Sequence, residues 1–517
     1  MIPLRRSGPQ PADEAAADAD GVREASASAL KRGLKNRHIQ MIAMGGAIGT
    51  GLFYGSADTI AIAGPAVLVT YLIGGAVIFL IMRALGEMSV DRPDTGAFSS
   101  YAYRNWSPRA GFLSGWNYWF NYITVSMVEL VVVGGYVNYW FPDVPKWLTA
   151  AFFLVVVTAL NLVSVKAFGE FEFWFALIKI VAVIGMIVVG TALVVLPLFG
   201  VAIGSPAPSP SPDAVSGAAG SVGATGALPD LPPPSFAHLV DQPGGFFPFG
   251  VLGVLLAQPI VMFSFGGTEL IGITAGETED PKRTIPKAIN QVVYRILLFY
   301  VCALAVIMAV VPWNRLDGGS SPFVQIFGSA GLPGAAHALN LVVLAAAISV
   351  YNSGLYSNGR MLYSLAQQAN APRYLRRVSR SGVPVAGVLT SSAVTAIAVV
   401  IVLVLPEAAF LLLISIATIA AIVNWSMIMI TQLKFRRRIG DAGAASLAFK
   451  LPGGRVSSFV VLAFLALVVV LMAVTPSYQT AVIVGPVWVG VVLLAYEATR
   501  RRRGSARQTD AESGEIQ

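Results

Sequence analysis

Gly45-Gly46-Ala47-Ile48-Gly49-Thr50-Gly51 and Ser264-Phe265-Gly266-Gly267-Thr268-Glu269 each lie inside an apolar run, and how they are read decides the fold of this chain. Each glycine costs a helix about 1 kcal/mol relative to alanine. Four glycines in the seven residues of the first stretch therefore loosen the hydrogen-bond ladder of any helix that contains them. Unsatisfied backbone inside a membrane is tolerated only where it lines a cavity or a binding site. The two stretches occupy corresponding positions, five helices apart. Such paired interruptions point to a transporter built from inverted repeats, with its site near the middle of the bilayer. Exposed N–H groups of one half-helix can hold a carboxylate, and carbonyls at the other broken ends can hold an ammonium group, so a zwitterionic amino acid matches both. The competing reading is close helix packing through small residues; it suits one Gly-rich helix better than a matched pair. A dinucleotide fingerprint is excluded, because no strand precedes the glycines.

The rest of the chain agrees with a membrane setting. Of 517 residues, 56% are hydrophobic and 12% charged, about half the charge of a soluble domain. Apolar runs that extend to the roughly 20 residues needed to cross a bilayer place helices near 38–60, 64–90, 110–140, 147–167, 172–198, 247–276, 289–312, 334–368, 386–405, 408–433, 456–475 and 479–499. The expected fold class is an all-α membrane protein of about twelve transmembrane helices. Two five-helix repeats are expected at 35–198 and 247–434, with helices one and six broken and two further helices in 435–500. The flanking expectations are a disordered cytoplasmic tail at 1–34, without the apolar core of a signal peptide, and a second cytoplasmic tail at 501–517.

The net charge of +8 is a topology signal and not a nucleic-acid footprint. Lys31, Arg32, Lys35 and Arg37 precede the first helix. Arg92, Arg104 and Arg109, then Lys166, then Lys282, Arg283 and Lys287 fall in every second loop, followed by Arg373, Arg376, Arg377 and Arg380, and by Lys434 and Arg436 to Arg438. Arg500 to Arg503 close the last helix. The alternate loops hold only Lys146 and Arg315. Cytoplasmic loops are enriched in Lys and Arg, so both termini are expected in the cytoplasm and the protein in the inner (plasma) membrane. The 199–246 segment reads as an extracytoplasmic loop; its 199–235 stretch, rich in Pro, Gly, Ala and Ser without Lys or Arg, cannot bury a core and reads as flexible.

Three ionisable residues fall deep in the expected helices: Glu129, Lys179 and Glu269. Such residues are costly in a bilayer and by default mark substrate or ion pathways. Lys179 lies about 10 Å from the inner end of its helix at 1.5 Å per residue. It either snorkels to the surface or exchanges a proton in the work that sodium does in related transporters. Glu129 is a proton carrier or a structural hydrogen-bond partner. Glu269 ends the break in the sixth helix and braces it, or simply packs. Trp116 and Trp119 read as an interfacial belt, with Tyr122 deeper and within reach of a substrate. One cysteine, Cys302, and three histidines leave no metal or haem motif, and no set of nucleophile and base suggests an enzyme.

These residues carry a resemblance. The chain resembles an amino acid permease of the amino acid–polyamine–organocation superfamily, over about Leu34 to Arg500. The segments are Asn36-Arg37-His38-Ile39-Gln40 running into the Gly-rich break, Ile81-Met82-Arg83-Ala84-Leu85-Gly86-Glu87-Met88, and Phe168-Gly169-Glu170-Phe171-Glu172-Phe173-Trp174-Phe175-Ala176. Gly115-Trp116-Asn117-Tyr118-Trp119, Met262-Phe263-Ser264-Phe265-Gly266-Gly267 and Ser349-Val350-Tyr351-Asn352-Ser353-Gly354 are most similar to the bacterial aromatic amino acid:proton symporters. The resemblance implies a LeuT-like inverted-repeat fold, no cofactor, and a substrate moved together with a proton across the lipid bilayer. It implies that Thr50 and Gly51 bind the substrate carboxylate, that carbonyls around Ala47 and Phe263 receive the ammonium, and that Phe263 and Gly266 face the side chain. Lys179 becomes the proton-linked amine with Glu129 as a companion; Tyr351 and Asn352 are further candidates, and Gly45, Gly46, Gly49, Gly267 and Glu269 form the hinges. Thr268 departs from the aliphatic residue expected in the aromatic branch, and the 199–235 loop is longer than usual. The expected function is proton-coupled import of a neutral, aromatic amino acid. The alternatives are a permease for small neutral amino acids including D-isomers, or for γ-aminobutyrate, an exchanger without proton coupling, and an amino acid sensor that does not transport. Oligomeric state is left open.

Overall fold

The computed structural model describes residues 48–93, 97–163, 165–199, 232–269, 280–316, 321–329 and 334–514. Gly45, Gly46, Ala47, the basic segment before them and most of the 199–235 loop lie outside the described residues. Among the described residues the secondary structure is helical, without a strand. Ten stretches among the described residues are long and apolar enough to cross a membrane: Gly55–Asp91, Pro108–Asn138, Lys146–Val163, Phe168–Phe199, Pro281–Val310, Ala335–Gln367, Val385–Val404, Ala409–Ser446, Arg455–Val474 and Pro476–Arg501. Gly55–Asp91 holds two legs, Gly55–Ala63 and Val67–Asp91, joined by the turn Gly64–Ala66. These legs belong to the first and second helices. Among the described residues the sixth helix comprises Gly250–Leu256 and Gln258–Ser264. Separating the first helix from the second and adding the sixth gives twelve spans among the described residues.

Two boundaries differ from the hydropathy reading. The seventh helix starts at Pro281 and not near 289. Its first turns, with Lys282, Arg283 and Lys287, are too polar to register as a membrane run. The start signal was nevertheless present: Asp280 accepts the Arg283 N–H at 3.3 Å as an N-cap, and proline stands at the first helical position. The tenth helix runs on past 433 to a kink at Gly440, with φ +69°, and a further helical stretch reaches Ser446, so Lys434 and Arg436 to Arg438 ride on a helix and not on a loop.

The third, eighth and tenth helices form the centre of the bundle, the third packing on both of the others. Polar side chains join them where apolar contact alone would leave their register free. Asn117 Nδ2 donates to Ala420 O at 2.9 Å and to Asn424 Oδ1 at 2.7 Å, which ties the third helix to the tenth. The fourth, fifth, eleventh and twelfth helices turn Phe152, Val155, Val181, Val188, Phe459 and Leu494 outward, as suits a lipid surround.

Much of the central packing recurs when each helix is exchanged for the one five places later. Third-on-fourth becomes eighth-on-ninth, third-on-tenth becomes eighth-on-fifth, and second-on-tenth becomes seventh-on-fifth. The pairs first–sixth, second–seventh, third–eighth and fourth–ninth map onto themselves. Basic loops gather at one end. Arg438 Nη1 donates to Arg104 O at 3.3 Å, Arg109 pairs with Glu497, and Arg83 donates to Lys450 O. At the same end Arg436 grips Glu87 through Nε at 2.7 Å and Nη2 at 2.5 Å.

Candidate functional site

The described part of the first helix begins at Thr50 after an extended Gly49, with φ −137° and ψ −160°. Leu52 and Phe53 N–H donate to Gly49 O at 3.1 and 3.2 Å, while the N–H groups of Thr50 and Gly51 have no acceptor one turn earlier inside this helical segment. Gly51 lies in that turn where the first helix crosses the sixth: a Cβ there would sit 2.6 Å from Ser264 Cα, so only glycine permits the approach. Beyond Ser264 the sixth helix unwinds into tight turns, with Phe265 N–H donating to Met262 O at 3.1 Å and Gly266 N–H to Phe263 O at 2.9 Å. Gly267 follows with φ +88°, a left-handed conformation suited to glycine. The freed Ser264 carbonyl is met by the Tyr300 hydroxyl at 2.8 Å. Tyr300 stands in a π-helical segment of the seventh helix, Ile296–Cys302, an irregularity often found at functional sites.

A cavity opens between these breaks. It has about 40 Å³ of room for water-sized molecules, within about 600 Å³ of space that includes open solvent, and Gly49, Thr50 and Gly51 face Phe263, Ser264, Gly266 and Gly267 across it. The third helix adds Asn121, Tyr122, Val125 and Glu129, the eighth Val350 and Ser353, and the tenth Ala417 and Ala421. Thr50 Oγ1 donates to Glu129 Oε2, which joins the first helix to the third in the cavity wall. Asn121 Oδ1 and Ser353 Oγ are buried without a hydrogen-bond partner among the described residues, and buried polar atoms are normally satisfied. Two turns from Glu129, toward the end opposite the basic loops, Tyr54 meets Phe410 and Tyr136 edge-on at centroid distances of 4.6 and 6.2 Å. These rings pack together on that side of the cavity.

The structure brings Thr50, Gly51, Phe263, Gly266, Tyr122, Glu129, Gly49 and Gly267 into one wall. Tyr351 and Asn352 lie outside it. On the eighth helix the cavity takes Val350 and Ser353, while Asn352 Oδ1 accepts from Asn161 Nδ2 of the fourth helix at 2.8 Å and Tyr351 lies beside Thr158. Sequence alone did not settle the helix rotation. Lys179 is fully buried and does not snorkel; its Nζ donates to Ser349 Oγ at 3.0 Å, and Ser349 donates in turn to Glu172 Oε1 at 2.6 Å. Glu269, at the end of the sixth-helix turn, is buried beside Trp425 and Arg295. Trp119 is likewise not a belt residue: it is buried and donates to Ser391 Oγ at 3.1 Å. Thr268, the departure noted in the sequence, spends its hydroxyl on Phe265 O at 3.0 Å and does not line the cavity.

Asn121, Val125, Ser264, Ser353, Ala417 and Ala421 were not anticipated. Once Tyr122 and Glu129 are chosen, Val125 follows from helical spacing. The two alanines of the tenth helix carry no charge, break or motif that would single them out.

Comparison with known proteins bears on this cavity. A profile of the family Amino acid permease matches residues 38–506. The aromatic amino acid transport protein AroP of Escherichia coli (strain K12) is 48% identical over 469 residues, covering 90% of this chain and 95% of its own. AroP of Salmonella typhimurium (strain LT2) is 47% identical over the same span. The uncharacterized amino acid permease YtnA of Bacillus subtilis (strain 168) is 44% identical over 467 residues, covering 90% of this chain and 94% of its own.

Proposed function

This chain belongs to the amino acid permease family, and we propose that it imports a neutral, aromatic amino acid by proton symport with alternating access. The observation that carries the proposal is the convergence, on one cavity, of both broken helices and the Thr50–Glu129 pair, with the buried Lys179 chain in the same bundle.

The substrate carboxylate sits at the N–H groups of Thr50 and Gly51, where a helix start favours negative charge. The ammonium faces the carbonyls around Ala47 and Phe263. Phe263 O already accepts from Gly266 N–H, but a carbonyl oxygen has a second lone pair. Asn121 and Ser353 offer the polar atoms that lack a protein partner. The ring lies among Phe263, Gly266, Val125 and Val350, with the small Ala417 and Ala421 leaving it space. The names of the AroP relatives favour an aromatic side chain. Lys179, out of contact with water, takes and releases the coupled proton, with Glu129 between it and the substrate.

The units 35–198 and 247–434 each supply one broken helix, and their relative rocking opens the cavity to each side in turn. The basic end faces the cytoplasm of a cell whose inner membrane holds the protein, both termini inside.

Uptake of labelled phenylalanine into cells lacking their own permeases tests this, with unlabelled competitors and with or without a protonophore. Competition by tyrosine and tryptophan together with loss of uptake on adding protonophore is the expected result. Uptake of alanine, glycine or γ-aminobutyrate in place of phenylalanine would overturn the specificity. Uptake that ignores the protonophore would overturn the coupling.

A further inference from the structure

A buried carboxylate remains that the transport cycle above does not use. Glu172 stands on the fifth helix two turns nearer the basic end than Lys179, and it is fully buried. Its Oε1 accepts from Ser349 Oγ at 2.6 Å, and Ser349 accepts from Lys179 Nζ at 3.0 Å. Its Oε2 is buried without a hydrogen-bond partner among the described residues. A carboxylate at this depth is costly; it serves Lys179 as a counter-charge, and the hydroxyl between them makes the pair a continuous hydrogen-bonded chain.

Immediately toward the basic end, Phe168 and Tyr356 stack with ring centroids 3.7 Å apart and planes 5° from parallel. Phe168 is one turn below Glu172, about 6 Å along the axis at 1.5 Å per residue, and Tyr356 is two turns below Ser349. Arg360 lies over the outer face of Tyr356 at 3.5 Å. The order from the membrane interior to the basic face is therefore amine, hydroxyl, carboxylate, aromatic plug, guanidinium.

We propose that Glu172 is the inner terminus of the proton path, receiving through Ser349 the proton that Lys179 carries. This rests on the proton-coupled reading of the site. In the step, the Lys179 ammonium gives a proton to Ser349 Oγ while Ser349 gives its own to Glu172 Oε1. The products are a neutral amine, an intact hydroxyl and a carboxylic acid, so no atom or charge is left over. Parting of the Phe168–Tyr356 stack when the cavity opens inward then lets water take the proton from Glu172.

The charged and titratable groups around the path are few. Lys166 and Glu170 share the fifth helix, Glu129 on the third acts on Lys179 electrostatically, and Tyr351, Tyr356 and Arg360 stand on the eighth. The seventh-helix segments packed on the fifth contain Tyr300, which is engaged with Ser264, and Cys302. The fourth helix has its one titratable residue, Lys146, at the opposite end.

The test uses the purified full chain in liposomes with labelled phenylalanine. It compares accumulation driven by an imposed pH gradient with counterflow exchange at equal pH, for wild type, Glu172→Gln and Glu172→Asp. The expected result is a fall of at least tenfold in the ratio of gradient-driven accumulation to exchange for Glu172→Gln, largely restored in Glu172→Asp. A wild-type ratio and pH profile in Glu172→Gln would overturn the proposal. So would an equal loss in both assays that Glu172→Asp does not relieve, since that marks a purely structural role. A wild-type protein that exchanges phenylalanine but ignores the pH gradient would instead remove the symport reading itself, which keeps the two failures apart.

Discussion

At the scale of single residues, the site depends on atoms that have no room to change. Gly51→Ala would put a methyl carbon 2.6 Å from backbone at Ser264. Because backbone cannot rotate away, the first and sixth helices must separate. Uptake is expected to fall more than tenfold while the protein still reaches the membrane, measured by transport per molecule on an immunoblot. Thr50→Val removes the hydroxyl that Glu129 accepts. A buried hydrogen bond contributes about 0.5–1.5 kcal/mol net, so as the first helix loses its tie to the third the half-saturating substrate concentration should rise roughly two- to tenfold, and Thr50→Ser should keep it near wild type. Thr50, Gly51 and Glu129 were legible in the sequence because glycine clusters and membrane carboxylates are rare. Tyr351 was chosen where its neighbour Val350 lines the wall, since the residue types of a motif do not state which way the helix is turned.

At the scale of elements, the broken sixth helix is held by its neighbours. Tyr300 meets the freed Ser264 carbonyl from the π-helical segment of the seventh helix, an arrangement no apolar run announces. Tyr300→Phe leaves that carbonyl unsatisfied at a cost of about 1–3 kcal/mol. A lower thermal midpoint in detergent and weaker substrate binding are expected together, because the same carbonyl fixes the cavity wall. An unchanged midpoint would show that the break is held by other contacts. The seventh-helix start at Pro281 illustrates what hydropathy misses: its Asp-Pro cap was visible in the sequence, but its basic first turns lie beyond the apolar run. Helix existence follows from apolar length; helix ends follow from caps and from what the polar turns touch.

At the scale of the whole molecule, the two ends of the bundle are built differently, with packed aromatic rings beyond the cavity at one end and charged pairs at the other. At the basic end Arg436 binds Glu87, which also accepts Gln432 Nε2 at 2.9 Å and Leu451 N–H at 2.6 Å. Arg436→Gln strands the Glu87 carboxylate in a buried site, with an expected loss of about 3–5 kcal/mol, read as a lower thermal midpoint. The pair Glu87→Gln with Arg436→Gln should recover much of it, because no unpaired charge remains. At the other end Tyr54, Tyr136 and Phe410 pack together beyond the cavity. In a Cys302→Ala background, Phe410→Cys should react faster with a membrane-impermeant thiol reagent from outside as the protein cycles outward. Labelling that no condition changes would count against a moving seal. The sequence by itself determined the membrane setting, the helix count, the two broken helices and the family, because apolar length, basic-loop alternation and glycine clustering are local or periodic properties of a chain. Only the tertiary structure decided which faces of the third, eighth and tenth helices line the cavity, that Lys179 is sealed and joined through Ser349 to Glu172, and that the seventh helix supports the sixth. Those relations depend on helix rotation and on contacts between residues hundreds of positions apart, and neither leaves a pattern along the chain.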